Sequence, residues 1–242
     1  MAARESVPPE ARTLAIGGEA VAYTLVRRRG RRGVGLKVDA GGLTVSAALT
    51  IPVARIEHMV RESERWVVKK LAVWRDRQVP VVRWEDGTTL PYLGGTLRLR
   101  LADARRARCV REGDELTAFV ASREPAAVAK AVVAWYRREA LAHFAHRAFF
   151  YSRLAGLAPP RVMLSSAKSR WGSCNSRREI RLAWRLVKAA PVHVDYVVCH
   201  ELAHLRHMDH SPAFWAEVAR LCPDHRRLRK ELEATDHLYR SF

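Results

Sequence analysis

The segment His200-Glu201-Leu202-Ala203-His204 has the residue types and the spacing to hold a metal ion and move a proton beside it. On an α-helix, positions i and i+4 stand one turn apart on the same side, so both imidazoles can reach one ion. Neutral imidazole nitrogen suits Zn2+. Glu201 lies at the edge of that face, where its carboxylate can take a proton from an activated water rather than ligate. The pentapeptide alone is a weak signal, because short His/Glu patterns recur by chance. Its setting is stronger. The apolar run Tyr196-Val197-Val198-Cys199 leads into it, and Leu202 and Ala203 continue it, as a helix packed into a core requires. Five of the ten histidines fall between His193 and His210, a clustering that incidental histidines on an amphipathic helix do not explain.

A catalytic zinc takes three protein ligands and keeps a fourth position open. His207 and His210 are the candidates for the third. On a continuous helix the Cα of His207 would stand about 10.5 Å along the axis from that of His200, too far for three ligands to converge. His210 instead adjoins Ser211-Pro212, a good N-cap followed by a favoured first-turn proline. The first helix must therefore stop between His204 and His210, and the turn can bring His210 back. His204 and His210 also have the spacing of H-E-x-x-H-x-x-G-x-x-H, although His207 occupies the glycine position. His210 is the preferred third ligand, and His207 is then a group that supports a ligand or faces substrate.

The elements that must position these residues lie in the second half of the chain. Pro125 to Ala155 is a long, Ala-rich helical pattern closed by Gly156 and Pro159-Pro160. Short strands are expected at Arg161–Leu164 and Ile180–Trp184. Helices are expected over Val192–Arg206, Pro212–Leu221 and Arg226–Leu238. The first 120 residues are β-rich. Gly17-Gly18 sits between the apolar runs Leu14–Ile16 and Val21–Leu25, and Ala40-Gly41-Gly42 between Val34–Val38 and Leu43–Ser46. A helix is predicted from about Pro52 to Arg75, and more short strands around Asp86-Gly87, Gly94-Gly95 and Gly113-Asp114. No internal repeat is evident. The pattern predicts an α+β fold, with a β-hairpin-rich N-terminal region over 1–120 and a catalytic region over 121–242.

Composition bounds the function. The 242 residues are 48% hydrophobic and 28% charged, ordinary for a globular chain. No run approaches the roughly 18 apolar residues of a bilayer span. Met1 to Arg12 lacks the apolar stretch of a signal peptide. Cys109, Cys174, Cys199 and Cys222 include no C-x-x-C pair, which argues against a thiolate zinc knuckle and a disulfide scaffold. A cytoplasmic location is the simplest expectation. Net charge is unusual at +18, from 43 Lys+Arg against 25 Asp+Glu. Such a field attracts polyanions. The densest run is Arg27-Arg28-Arg29-Gly30-Arg31-Arg32, a loop that could grip phosphates or simply be a solvated turn.

Three strings together resemble the YgjP-like branch of the SprT-like zinc metallopeptidases. They are His200 through Trp215, Arg170-Trp171-Gly172-Ser173-Cys174 followed by Ile180 through Leu186, and Pro223-Asp224. The resemblance implies a zincin-like fold, with His200, His204 and His210 as zinc ligands and Glu201 as catalytic acid/base. Ala183 stands where that family usually has Asn, and Asp209 where Asn is commoner. The first removes an amide that could support a ligand or bind substrate, and the second adds negative charge beside a ligand.

The function expected is therefore zinc-dependent hydrolysis, most simply of a protein or peptide. A nucleic-acid-associated SprT-like protease is one alternative. A non-catalytic zinc module that binds nucleic acid is the other, and an intact Glu201 argues against it. Nucleic acid is a possible partner through the basic surface, and a membrane is not expected. His207 and Arg185 are the candidates for stabilising an oxyanion. Gly172 either permits an extended peptide to approach a sheet edge or permits tight packing beneath the metal helix, with Trp171 buried.

Overall fold

A computed structural model describes residues 8–39, 41–75 and 81–242. The chain divides into two compact units, Met1–Gln78 and Val79–Phe242. Met1–Val7 and Ala40, which carry part of the leader and hairpin readings, lie outside the described residues.

The first unit is a four-stranded sheet with two helices. Its strands are β1 (Glu10–Ile16), β2 (Glu19–Arg28), β3 (Gly35–Asp39) and β4 (Gly42–Ala48), in the order β1-β2-β4-β3. Alternation along the strands puts Leu14, Ile16, Val21, Tyr23, Leu25, Leu43, Val45 and Ala47 on one buried face. Helices α1 (Val53–Glu62) and α2 (Glu64–Arg75) cover that face with Ile56, Val60 and Val67. The single helix predicted from Pro52 to Arg75 is thus two, parted at Ser63, which leaves the helical conformation. Arg27 spans this unit from within, its Nη1 donating to the carbonyls of Ala48 (3.0 Å), Leu49 (3.3 Å) and Ile51 (2.5 Å).

The second unit begins with another four-stranded sheet: β5 (Thr89–Tyr92), β6 (Gly95–Asp103), β7 (Arg108–Glu112) and β8 (Glu115–Val120), ordered β5-β6-β8-β7. The two sheets are copies of one motif. In each, the first hairpin is antiparallel, the second and fourth strands are parallel, and the third returns antiparallel to the fourth. The first hairpins both close with two residues at positive φ, Gly17-Gly18 (62° and 79°) and Leu93-Gly94 (46° and 77°), the twist a tight hairpin needs. Even the parallel register is shared, with Tyr23 opposite Leu43 in one copy and Leu99 opposite Leu116 in the other. This overturns the expectation of no internal repeat. The copies share a burial pattern and pairing geometry rather than residues, and composition does not register either.

Helix α3 (Pro125–Leu154) follows the second sheet and shares a core with it. Its buried residues Val128, Val132, Trp135 and Tyr136 join Leu90, Leu97, Leu99, Leu116 and Val120 in one cluster that continues into the rest of the unit. The boundary expected at 120/121 therefore falls instead at 78/79, because residues 89–120 bury their apolar face with the C-terminal part.

A three-stranded sheet then forms from β9 (Arg161–Ser165), β10 (Gly172–Cys174) and β11 (Glu179–Ala183), with β11 central, parallel to β9 and antiparallel to β10. A 3-10 turn (Trp184–Lys188) leads to α4 (Pro191–Ala203), α5 (Pro212–Leu221) and α6 (His225–Tyr239). The mixed α+β architecture is as expected. The β5–β6 turn helps set the start of α4. Leu93 N donates to the Val187 carbonyl at 2.8 Å, and a Cβ at Gly94 would stand 2.8 Å from the Ala190 Cα. No helix among the described residues is long and apolar enough to cross a membrane.

Candidate metal centre

Helix α4 is apolar over most of its length. Val194, Val197, Val198, Cys199 and Leu202 are buried, so the helix enters the core of the unit rather than lying on its surface. Two polar contacts fix it to its neighbours. Asp195 accepts from Arg147 of α3 at 2.6 and 2.8 Å, and His193 lies 3.1 Å from Glu231 of α6. The helix stops at Ala203, with His204 as its C-cap, and the chain turns before Ser211 caps α5 by accepting from Phe214 N. Asp209 helps build that turn. Its carboxylate accepts from Ser211 N at 3.3 Å, and hydrogen bonding from Ser211 is the main reason its pKa lies below the usual range.

The turn brings His210 back against α4. Among the described residues, His200, His204 and His210 form a group able to hold a metal ion, with ligand atoms all within 4.8 Å of one another. His200 Nε2 and His210 Nε2 are 3.3 Å apart. Two nitrogens at the usual zinc distance, on neighbouring corners of a tetrahedron, lie about 3.3–3.4 Å apart. The donor set and this spacing fit a zinc ion. His204 Nδ1 is 3.1 Å from the His207 carbonyl, an arrangement that protonates Nδ1 and leaves Nε2 free to ligate. His207 thus braces His204 through its backbone, and the ring of His210 rather than that of His207 joins the cluster.

Phe214 lies under all three imidazoles, with ring centroids 4.9, 4.5 and 4.7 Å from those of His200, His204 and His210. Trp215 flanks His200 and His210 and is itself stacked by His225 at 5.8 Å. Burial, then the nearby His204 and His210, push the His200 pKa down to about 3. His204 is lowered chiefly by burial as well. With His200 and His204 held neutral, and His210 crowded against them, the cluster is set to share a cation.

Glu201 is only 4% exposed, and its Oε2 is buried with no hydrogen-bond partner. Burial pushes its pKa up to about 8, against a lowering influence from Arg170. The strand that faces it is β10. A Cβ on Gly172 would stand 2.3 Å from Glu201 Oε1 and 2.7 Å from its Cδ and Cγ. Gly172 is therefore where the sheet admits the glutamate, which favours tight packing as the reason for this glycine. Trp171 is half-buried rather than buried, with Tyr239 and Arg240 on its ring. Arg185 is engaged elsewhere, donating to the Phe242 and Ser166 carbonyls. The importance of Phe214 was missed from sequence, although it lies in one of the strings that carried the family resemblance.

A family model described as YgjP-like, metallopeptidase domain, matches residues 32–235. No curated protein matches the chain. Among solved structures, the crystal structure of the metallopeptidase zymogen of Pyrococcus abyssi abylysin is similar to it at 22% identity and a TM-score of 0.33, over 44% of this chain and 98% of that one.

Proposed function

This chain belongs to the YgjP-like metallopeptidase family, and from that premise we propose that it is a zincin-like, zinc-dependent peptidase whose ion is held by His200, His204 and His210 and whose general base is Glu201. The observation that carries this reading is the joint placement of three convergent imidazoles and one buried, unpartnered carboxylate. A structural zinc needs ligands alone, and it gives no reason to bury a carboxylate beside them without a partner.

When bound, zinc supplies Lewis acidity, polarising a scissile carbonyl and making a water acidic. Glu201 takes the proton from that water and passes it to the leaving amine. Its burial suits both transfers, since a proton affinity raised toward neutrality lets one carboxylate serve as base and then as acid. A cation at the three histidines would draw that affinity down from its metal-free value. Phe214 and Trp215 hold the imidazole rings in place, and the His207 carbonyl fixes the tautomer of His204.

The test is metal analysis of purified protein beside a His204→Ala variant. About one zinc per chain is expected in the wild type and a large loss in the variant, since removing one of three ligands leaves an incomplete site. A wild-type chain that neither contains zinc nor can be loaded with it would refute the assignment.

A further inference from the structure

The repeated sheet motif carries the same unusual feature twice. In each copy the connection from the second strand to the third crosses one end of the sheet, and in each it is rich in arginine. Between β2 and β3 lie Arg29, Arg31 and Arg32, with Arg28 at the strand end. Between β6 and β7 lie Arg105 and Arg106, with Arg108 opening the next strand. Neither connection contains an acidic residue, and all seven arginines are exposed.

Half of the six other cations on the strands of the two sheets, Arg12, Lys37 and Arg100, are ion-paired, and so is Arg123 just beyond β8. Arg12 lies 3.3 Å from Glu10, Arg100 lies 3.0 Å from Glu115, and Arg123 lies 3.0 Å from Asp103. Among the described residues, Arg28, Arg29, Arg32, Arg105 and Arg106 have neither an ion pair nor a hydrogen bond. Arg108 lies over the Phe119 ring at 4.0 Å, and Arg31 donates only to the nearby Gly33 carbonyl. Like charges crowded at one loop repel each other. A surface with no use for them would spread or pair them, as the remainder of each sheet does.

We propose that these two connections are equivalent phosphate-binding tips, and that the chain uses them to bind the backbone of nucleic acid without reading its sequence. Guanidinium groups match phosphate oxygens two at a time. Duplex DNA presents one charge per about 1.7 Å of axis, a density that suits several adjacent arginines. The first tip is also sterically open, since a Cβ on Gly30 or Gly33 would meet nothing within 4 Å. Arg27 is not part of it, because its guanidinium is committed to three carbonyls of its own unit.

The experiment measures binding of the full chain to short single- and double-stranded DNA by fluorescence anisotropy across a salt series. One variant is Arg29→Gln/Arg31→Gln/Arg32→Gln, a second is Arg105→Gln/Arg106→Gln, and a control is Arg65→Gln/Lys69→Gln/Lys70→Gln on α2. Each phosphate contact contributes about 0.9 to the slope of log K against log salt on duplex, and about 0.7 on a single strand. The triple loop variant should lower the duplex slope by about 2–3 and the double variant by about 2, with the control changing it little. Thermal unfolding of each variant shows that the fold is retained, and the two tips test the idea independently. Three results would overturn it: loop variants with unchanged slopes, a control that lowers the slope equally, or poly-glutamate that displaces DNA at equal charge concentration.

Discussion

Replacing Gly172 by alanine should disable the site without removing any group that acts in it. The added Cβ would lie 2.3 Å from Glu201 Oε1 and 2.7 Å from Cγ and Cδ. Carbon and oxygen need more than 3 Å, so one side must yield by about 1 Å. The glutamate has little room, being 4% exposed on a helix most of whose residues are buried. Strand β10 is paired through Gly172 opposite Leu182, and the Ala183 amide donates to Trp171 at 2.8 Å. Overpacking of this kind costs roughly 1–3 kcal/mol of stability. For a unit of this size that is a fall in Tm of about 2–4 °C per kcal/mol. Misplacing a catalytic group by about 1 Å can cost on the order of 100-fold in rate, or about 2.7 kcal/mol in the barrier. The assay is kcat/KM on a peptide substrate, with zinc content measured in parallel. A drop near 100-fold at unchanged zinc content is expected. A Gly172→Ala enzyme with full activity and an unshifted Tm would show that the glutamate does not need the space this glycine leaves.

Glu201→Gln should keep its zinc yet lose hydrolysis by several orders of magnitude, which parallel metal analysis and turnover assays check. The same substitution has a pH signature in chelator-treated protein. The Glu201 pKa is raised from 4.5 to about 8. Its contribution to stability is thus full below about pH 4.5 and lost as pH rises toward 8. Metal-free wild type should weaken relative to the glutamine variant across that window, by a few kcal/mol in order of magnitude; parallel Tm profiles would contradict the burial argument. Arg27→Gln should destabilise the first unit by about 1.5–3 kcal/mol, the range for hydrogen bonds from a charged donor. Urea unfolding measures this, and an unchanged midpoint would mean that the three carbonyl contacts contribute nothing.

The local parts of this structure were legible in the sequence. Apolar spacing placed α4, and the Ser211-Pro212 pair marked where α5 begins, so the turn that returns His210 followed from the order of two short signals. Pro125 and Gly156 likewise bracketed α3. What escaped were relations between distant segments. The fit of Gly172 against Glu201 joins residues 29 positions apart, and no periodicity encodes it. The repeat was hidden for the same reason, because strand pairing depends on alternation and turn length rather than on particular residues. One trace of it does stand in the sequence: Leu43-Thr44 and Leu116-Thr117 are followed by Pro52 and Pro125 at the same spacing. Charge alone also overstated the first basic run, since Arg27 is a structural brace and its neighbours are not.

Helix α3 has a mechanical consequence. At 30 residues it is roughly 45 Å of uninterrupted rod. Its first half is cemented into the second sheet, and its far end holds the segments around the histidines. Arg206, between His204 and His210, donates to the Ala155 carbonyl just past the helix, and Arg220 of α5 reaches the Leu154 carbonyl. A rod anchored at both ends transmits strain instead of absorbing it. Loosening the sheet of residues 89–120 would therefore be felt at the turn that carries His210, far along the same helix. A fragment cut at residue 121 would keep every candidate ligand yet lack the clamp on one end of the rod. The residues that hold a metal site in register need not lie anywhere near it.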